Sequence, residues 1–408
     1  MKALIIGHVW PEPGSSAAGA RINEIMHLLF ANGWNLTFAS ASQRGEFVGF
    51  PSGIAVNEVQ IELNSSTFDV WLKELKPDLV MFDRFMSEEQ YGWRVAEKMP
   101  QAVRILDTED LHFLRHARAK QIQNSDSDQE IDFFNSDAFR EIAAIYRSDL
   151  SLIISNPEFA LLKNTFNIPD DLLVYLPFCR QVQLHELEKS ARPEFEQRSG
   201  YTMIGSFQHA PNRDAVLNLK ENIWPAILKR QPDAELHIYG SYMQAKDRQL
   251  HDVKSNFFMH GRVEDALATI QKHRVMLAPL RFGAGLKGKL VDAMQCGTPF
   301  VTTDVGAEGI HCMPQSVLND VDGFAQRAVT LHNQKNEWNE ASLQGSRVFR
   351  EQFADPTYQT EFLSVLNYTL ADIEKHRKKN FTGAMLMHHR VQSTRFLSKW
   401  IEEKNKKG

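Results

Sequence analysis

The feature that most constrains this chain is a rhythm. Short apolar runs alternate with amphipathic stretches almost from end to end. The runs "ALIIG" (3–7), "NLTFAS" (35–40), "DLVMFD" (78–83), "VRILD" (103–107) and "LSLIIS" (150–155) are strand-length and read as strands of a parallel sheet. Helical patterns lie between them, such as "ARINEIMHLLFANG", where Ile22, Ile25, Met26, Leu29 and Phe30 share one face and Gly33 is the stop. Strand–helix alternation of this kind predicts a doubly wound α/β domain. The rhythm lapses at about 178–200, "FCRQVQLHELEKSARPEFEQRSG", and restarts with "YTMIGSF" (201–207). A helix over 212–229, "AELHIYG" (234–240), "NFFMHG" (256–261), "RVMLAPL" (274–280), a helix over 286–296 and "PFVTT" (299–303) follow. The expected organisation is a first α/β domain over 1–180, a linker over 181–200 and a second α/β domain over 201–350. A helix over 351–374 and a basic tail over 375–408 complete it.

Length agrees, because 408 residues exceed one ordinary core. Apolar residues at 43% and charged residues at 24% are ordinary for a globular protein, and a net charge of −5 argues against nucleic acid as a partner. Cys179, Cys296 and Cys312 are odd in number and far apart. They fit neither a disulfide framework nor a zinc pattern, which points to a reducing cytoplasm. The opening "MKALIIGHVWPEPG" reads as a buried strand rather than a signal peptide, and no run approaches the ~18 apolar residues that span a bilayer. Residues 375–408 hold ten Lys/Arg against Glu402 and Glu403, a net +8, leaving −13 for the rest. Phe381, Met385, Phe396, Leu397 and Trp400 interleave with those charges. A frayed, solvated tail, a helix on an anionic membrane surface and a nucleic-acid contact all fit this composition.

In an open α/β sheet, ligands bind beyond the carboxyl ends of the strands. Five loops there carry unusual residues. The first, "HVWPEPGSSAAGARINEI", offers Gly14, Gly19 and Arg21 around a helix start, and reads equally as a flexible loop or an anion site. The second, "LDTEDLHFLRHAR", crowds Asp107, Glu109, Asp110, His112 and Arg115. Either Asp110 caps a helix, or His112 or a carboxylate meets a sugar or takes up a proton. The third, "GSFQHAPNRDAV", has Gly205, Ser206, His209 and Asn212 at a helix entry. The fourth, "RFGAGLKGKLVD", sets Arg281, Lys287 and Lys289 around Gly283, Gly285 and Gly288. Backbone N–H groups, a helix dipole and lysines together make a cradle for a diphosphate, with both lysines expected to be exposed. Asp292, a turn beyond Lys289, is placed for a ribose hydroxyl pair. The fifth, "TTDVGAEGI", brings Gly306 and Glu308 as a partner loop.

The third, fourth and fifth loops, in this order, resemble the donor-binding half of the retaining nucleotide-sugar glycosyltransferases of family four, also called group one. The likeness covers roughly residues 200–370. The resemblance implies the GT-B fold, in which two Rossmann-like domains face across a cleft, with final helices crossing back to the first domain. It also implies a nucleotide diphospho-sugar donor, a hydroxyl acceptor held by the first domain, and neither metal nor cofactor. Carried over residue by residue, it puts Arg281, Lys287 and Lys289 on the diphosphate and Asp292 on the ribose. Gly205, Ser206, His209, Asn212, Gly283, Gly285, Gly306 and Glu308 complete the donor side. His112 and Asp110 stand near the reacting sugar, while Gly14, Gly19, Arg21 and Asp107 shape the acceptor side. Two positions depart from the family's glutamate pair: Ala284 replaces the first acid and Asp292 the second.

The expected activity is hexosyl transfer to a glycan, lipid-linked glycan or protein hydroxyl, with retention, in polysaccharide or glycoconjugate synthesis. The expected location is cytoplasmic or peripheral at the inner membrane through the basic tail. A nucleotide-sugar epimerase or hydrolase, and a non-catalytic nucleotide-sugar-binding protein, are the alternatives on the same fold.

Overall fold

The computed structural model describes residues 1–123, 131–180, 192–311 and 314–406. Most of the expected linker (181–191) and Cys312 lie outside the described residues. Seven parallel strands form the first sheet: β1 (Lys2–Gly7), β2 (Asn35–Ser40), β3 (Val56–Gln60), β4 (Leu79–Asp83), β5 (Val103–Asp107), β6 (Leu150–Ile153) and β7 (Leu173–Tyr175). Their spatial order is β3-β2-β1-β4-β5-β6-β7. Five more form the second: β8 (Tyr201–Ile204), β9 (Leu236–Tyr239), β10 (Phe257–Gly261), β11 (Val275–Ala278) and β12 (Phe300–Thr302), ordered β10-β9-β8-β11-β12. Strand order reverses between β1 and β4 in one sheet and between β8 and β11 in the other. These are the crevices where a doubly wound fold takes its ligands.

The central strands β1, β4, β5, β6, β8 and β11 are apolar because helices cover both faces, and nearly all of their residues are buried. The edge strand β3, "VNEVQ", is largely exposed, and its polarity hid it from the apolar-run criterion. β7, three residues long, escaped for want of length. The helix expected over 212–229 is interrupted: an α-helix Ala210–Asn218 and a short one at Trp224–Leu228 flank a π-turn at Leu219–Ile223. Pro225 lacks an N–H, so a bulged turn there loses little.

After the second sheet the chain returns to the first domain. The helix Thr357–Ala371 buries Phe362 and Leu366 in a cluster with Ile5, Met26 and Leu79. The helices Ile373–Lys378 and Phe381–Asn405 follow, so the stretch read as a tail is folded up to Asn405. Arg377 fastens it, donating to both Asp149 oxygens at 2.7 Å and to the Ala102 carbonyl at 2.8 Å.

Candidate functional site

The loops that leave the two switch points face each other across a cleft of about 1400 Å³. From the first domain come Glu12, Gly14, Arg84, Glu109, Asp110, His112 and Arg115; from the second come Gly205, Ser206, His209, Asn212, Tyr242 and the run Gly283–Lys289 with Asp292.

The loop Gly283–Lys287 runs into the helix Gly288–Gln295. Lys287 occupies the N-cap position but makes no side-chain cap bond, so the positive end of the helix opens on the cleft. Lys289 lies half-buried at the rim and donates to Asn212 Oδ1 at 2.6 Å, while Asn212 Nδ2 donates to the Ser206 carbonyl at 2.9 Å. Burial and the neighbouring Lys287 charge push the Lys289 ammonium down to about 7.

Lys287 departs from expectation. It is buried, and its ammonium donates to the carbonyls of Ala284 (3.1 Å) and Gly285 (2.6 Å), bracing the loop from inside. Arg281 also departs: it is exposed, ion-paired with Asp214 of the helix Ala210–Asn218, and absent from the cleft lining. Its own acidic neighbour on the next helix, invisible to local spacing, claims the guanidinium.

The glycines of this loop do a second job. A Cβ on Gly285, which sits at φ +64°, would lie 2.9 Å from the Asp110 Cβ, and one on Gly288 would lie 2.7 Å from the Ala17 Cβ. Both contacts are with the first domain, so bare backbone is required for the domains to meet. Nor are the loop's N–H groups all available to an anion, since Gly285 N–H donates to Glu158 Oε1 at 2.9 Å. Ala284, where the resemblance calls for an acid, is buried with the first domain's apolar cluster. A glutamate there would have to bury its charge in the seam.

Asp292 reaches the cleft but is held by Arg180 at 2.8 Å, and the same guanidinium holds Glu24 at 2.9 Å. Glu308 makes a two-pronged pair with Arg118, both contacts 2.7 Å, and Arg118 also donates to the Gly283 carbonyl at 2.8 Å. Gly306 is buried, its N–H donating to Thr303 Oγ1. Glu308 therefore closes the seam and Gly306 packs against Thr302 within the second domain; neither lines the cleft.

On the first domain, His112 is buried, with Nε2 3.5 Å from Asp110 Oδ1. Burial, against the pull of Asp110, brings its imidazole down to about 3. Burial alone would raise the Asp110 carboxyl, but the adjoining Arg115 and His112 outweigh it and hold the group well below the usual carboxylate range. A neutral imidazole thus stands beside a permanent carboxylate. Gly14 lines the cleft, while Gly19 packs against the Glu12 backbone. Arg21 and Asp107 are fully buried and pair at 2.9 Å, with Arg21 also donating to the Leu176 carbonyl at 2.7 Å. That pair ties β5 to the end of β7, and neither residue lines the cleft.

Spacing assigns no role to Glu109, one of the acids crowded in the second loop, or to Arg84. Both line the cleft, both have left-handed backbones (φ +61° and +69°), and they follow the ends of adjacent strands β5 and β4. Such conformations cost ~1–3 kcal/mol each and collect at functional sites. Burial, with the Asp107 and Asp83 charges, raises the Glu109 carboxyl well above its ordinary range, and its Oε1 has no hydrogen-bond partner among the described residues.

Residues 199–334 match the family described as Glycosyl transferases group 1. No curated protein matches the chain by sequence. Among solved structures, the chain is similar to a sucrose-phosphate synthase from Thermosynechococcus elongatus, with a TM-score of 0.68 and 14% identity over 91% of this chain and 100% of that one. It is similar to HepE of Anabaena in complex with UDP and glucose, with a TM-score of 0.64 and 10% identity over 89% and 99%. TarM of S. aureus, in complex with fondaparinux, alpha-GlcNAc-glycerol and UDP, follows with a TM-score of 0.57 and 13% identity over 73% of this chain. The chain spans 58% of TarM's length. At these identities the fold is what is shared: two parallel α/β domains facing across a cleft, the GT-B arrangement.

Proposed function

We propose, from the group 1 glycosyltransferase match over residues 199–334 and the GT-B fold around it, that the chain transfers a sugar from a nucleotide diphosphate donor to a hydroxyl acceptor. The observation that carries this reading is the open N-terminus of the helix Gly288–Gln295, with Lys289 at the same rim of the cleft. Helix dipole and ammonium together stabilise the negative charge that grows on a departing diphosphate, so the reaction needs no divalent ion. UDP is the first nucleotide to test, since it sits in the HepE and TarM structures.

In this mechanism the bond from the sugar's anomeric carbon to the phosphate oxygen breaks. The acceptor oxygen bonds to that carbon from the same face, and the acceptor's proton passes to the departing diphosphate. Neither Asp110, clamped by Arg115, nor neutral His112 is a strong base, which favours the leaving group as proton acceptor and hence retention. His112 contributes a hydrogen bond to the reacting sugar, and Asp292 meets the ribose once Arg180 yields. Hexosyl transfer in polysaccharide or glycoconjugate assembly is the corresponding role.

The test is turnover of a panel of UDP- and GDP-sugars with simple glycoside acceptors, read by mass spectrometry. A transferred sugar with unchanged anomeric configuration is expected. Free sugar or an epimerised donor without acceptor would assign hydrolysis or epimerisation instead, and binding without turnover would assign a non-catalytic protein.

A further inference from the structure

The helix Phe381–Asn405 runs for 25 residues, about 37 Å at ~1.5 Å per residue, over the surface of the first domain. Its inner face is fixed. Gly383 packs against the Tyr146 carbonyl, Asn380 Nδ2 donates to that carbonyl at 2.7 Å, and buried Ser398 accepts from Arg94 Nη2 at 3.0 Å. At ~100° per residue, Phe381, Met385, Phe396 and Trp400 fall on one stripe, roughly opposite Gly383 and Ser398. That stripe faces away from the protein: Phe381 is 79% exposed, Phe396 64% and Trp400 60%.

Cations border the stripe. Lys399 is exposed beside it, and Lys404 lies over the Trp400 ring at 5.4 Å. Lys375 and Lys378 are exposed at the end of the preceding helix. Each of the helix's two acids has a partner. Glu402 accepts from Ser66 Oγ at 2.5 Å, and Glu403 pairs with Lys406 at 2.9 Å. The surface offered outward is therefore aromatic and positive. No described helix is long and apolar enough to cross a membrane.

We infer that this helix docks the protein on an anionic lipid bilayer, lying in the headgroup plane with Phe381, Phe396 and Trp400 inserted. Aromatic rings between lysines suit a layer that is apolar below and negatively charged above. A second copy of the chain fits less well, because two such faces would set lysine against lysine. The helix packs on the first domain, so docking would hold that half of the cleft near the membrane.

The experiment is co-sedimentation of the full chain with vesicles of phosphatidylglycerol and phosphatidylcholine, and with phosphatidylcholine alone. Binding to the mixed vesicles only is expected. Phe396→Ser with Trp400→Ser should lower the partition coefficient by an order of magnitude or more. Lys399→Ala with Lys404→Ala should lower it about fivefold per lysine, as added salt would. All four side chains are exposed, so the melting temperature should not move. Wild-type protein that stays in the supernatant would overturn the inference, as would serine variants that bind like wild type. A solution dimer that the serine variants convert to monomer would overturn it too, by assigning the stripe to a second copy.

Discussion

Glu158 of the first domain accepts the backbone N–H of Gly285 of the second at 2.9 Å, on the same oxygen that takes the Leu111 N–H at 2.9 Å. One carboxylate thus joins the loop that carries His112 to the loop that carries Lys287. Burial raises this group to about 7, although the Leu111 N–H pulls the other way.

Because its folded value lies above its ordinary one, Glu158 contributes stability that is complete below about pH 4.5 and lost as pH rises through about 7. Glu158→Gln keeps the accepting oxygen and cannot ionise. The difference in unfolding free energy between wild type and this variant should shift by up to about 3 kcal/mol against wild type across that window. Parallel denaturation curves at pH 5 and pH 8 would refute the assignment.

The two loop lysines should separate by phenotype. Lys289→Ala removes a rim cation and should weaken UDP binding ~10–100-fold in calorimetry, with little change in melting temperature. Lys287→Ala leaves the Ala284 and Gly285 carbonyls unpaired and should cost ~1–3 kcal/mol of stability. Equal effects on binding and stability in both variants would contradict the division.

UDP affinity should also depend on pH through Lys289. A bound diphosphate favours the ammonium, so binding takes up a proton once the free side chain has begun to lose it near 7. Affinity should be flat below that point and fall by up to tenfold per pH unit above it. The slope should vanish in Lys289→Ala, and calorimetry in buffers of different ionisation heat would count the proton.

His112→Gln should lower kcat roughly 100-fold and leave UDP affinity within about twofold. The pH profile of kcat should keep its shape, because an imidazole brought to about 3 does not titrate in the working range. Loss of an ionisation near 6.5 in the variant would show that His112 is charged in the enzyme after all.

Arg180 joins Glu24 to Asp292 across the seam. Arg180→Met should leave two partly buried carboxylates without their cation and cost ~1–3 kcal/mol in urea unfolding. Relieving one of them with Asp292→Asn in the same chain should recover part of that loss.

Strands buried on both faces and the loops at their carboxyl ends were legible because periodicity and glycine content are local properties. Gly205, Asn212, Lys289 and Asp292 reach the cleft for that reason. What could not be read is who meets whom. Arg281 has Asp214 as partner, Arg21 has Asp107, and Glu308 has Arg118, each across 67 to 190 residues of chain. Opposite charges at such separations leave no trace in local spacing. Glu158, just past the run 150–155, and Arg180, where the rhythm lapses, hold the domains together without belonging to any of the five loops. Glu109 stood out in a crowd of charges and Arg84 followed a buried strand, but the left-handed backbone of each left no local mark.

The loop Gly283–Gly288 is shaped by a surface it does not belong to. Gly285 has room only for the flank of Asp110, and Gly288 only for Ala17. Loop and counter-surface therefore form a lock whose halves are encoded more than 170 residues apart. A chimaera that grafts this second domain onto a foreign first domain must carry Ala17 and Asp110 with it. A transplanted half whose new neighbour is bulkier at either position would be propped open, however intact its nucleotide loop.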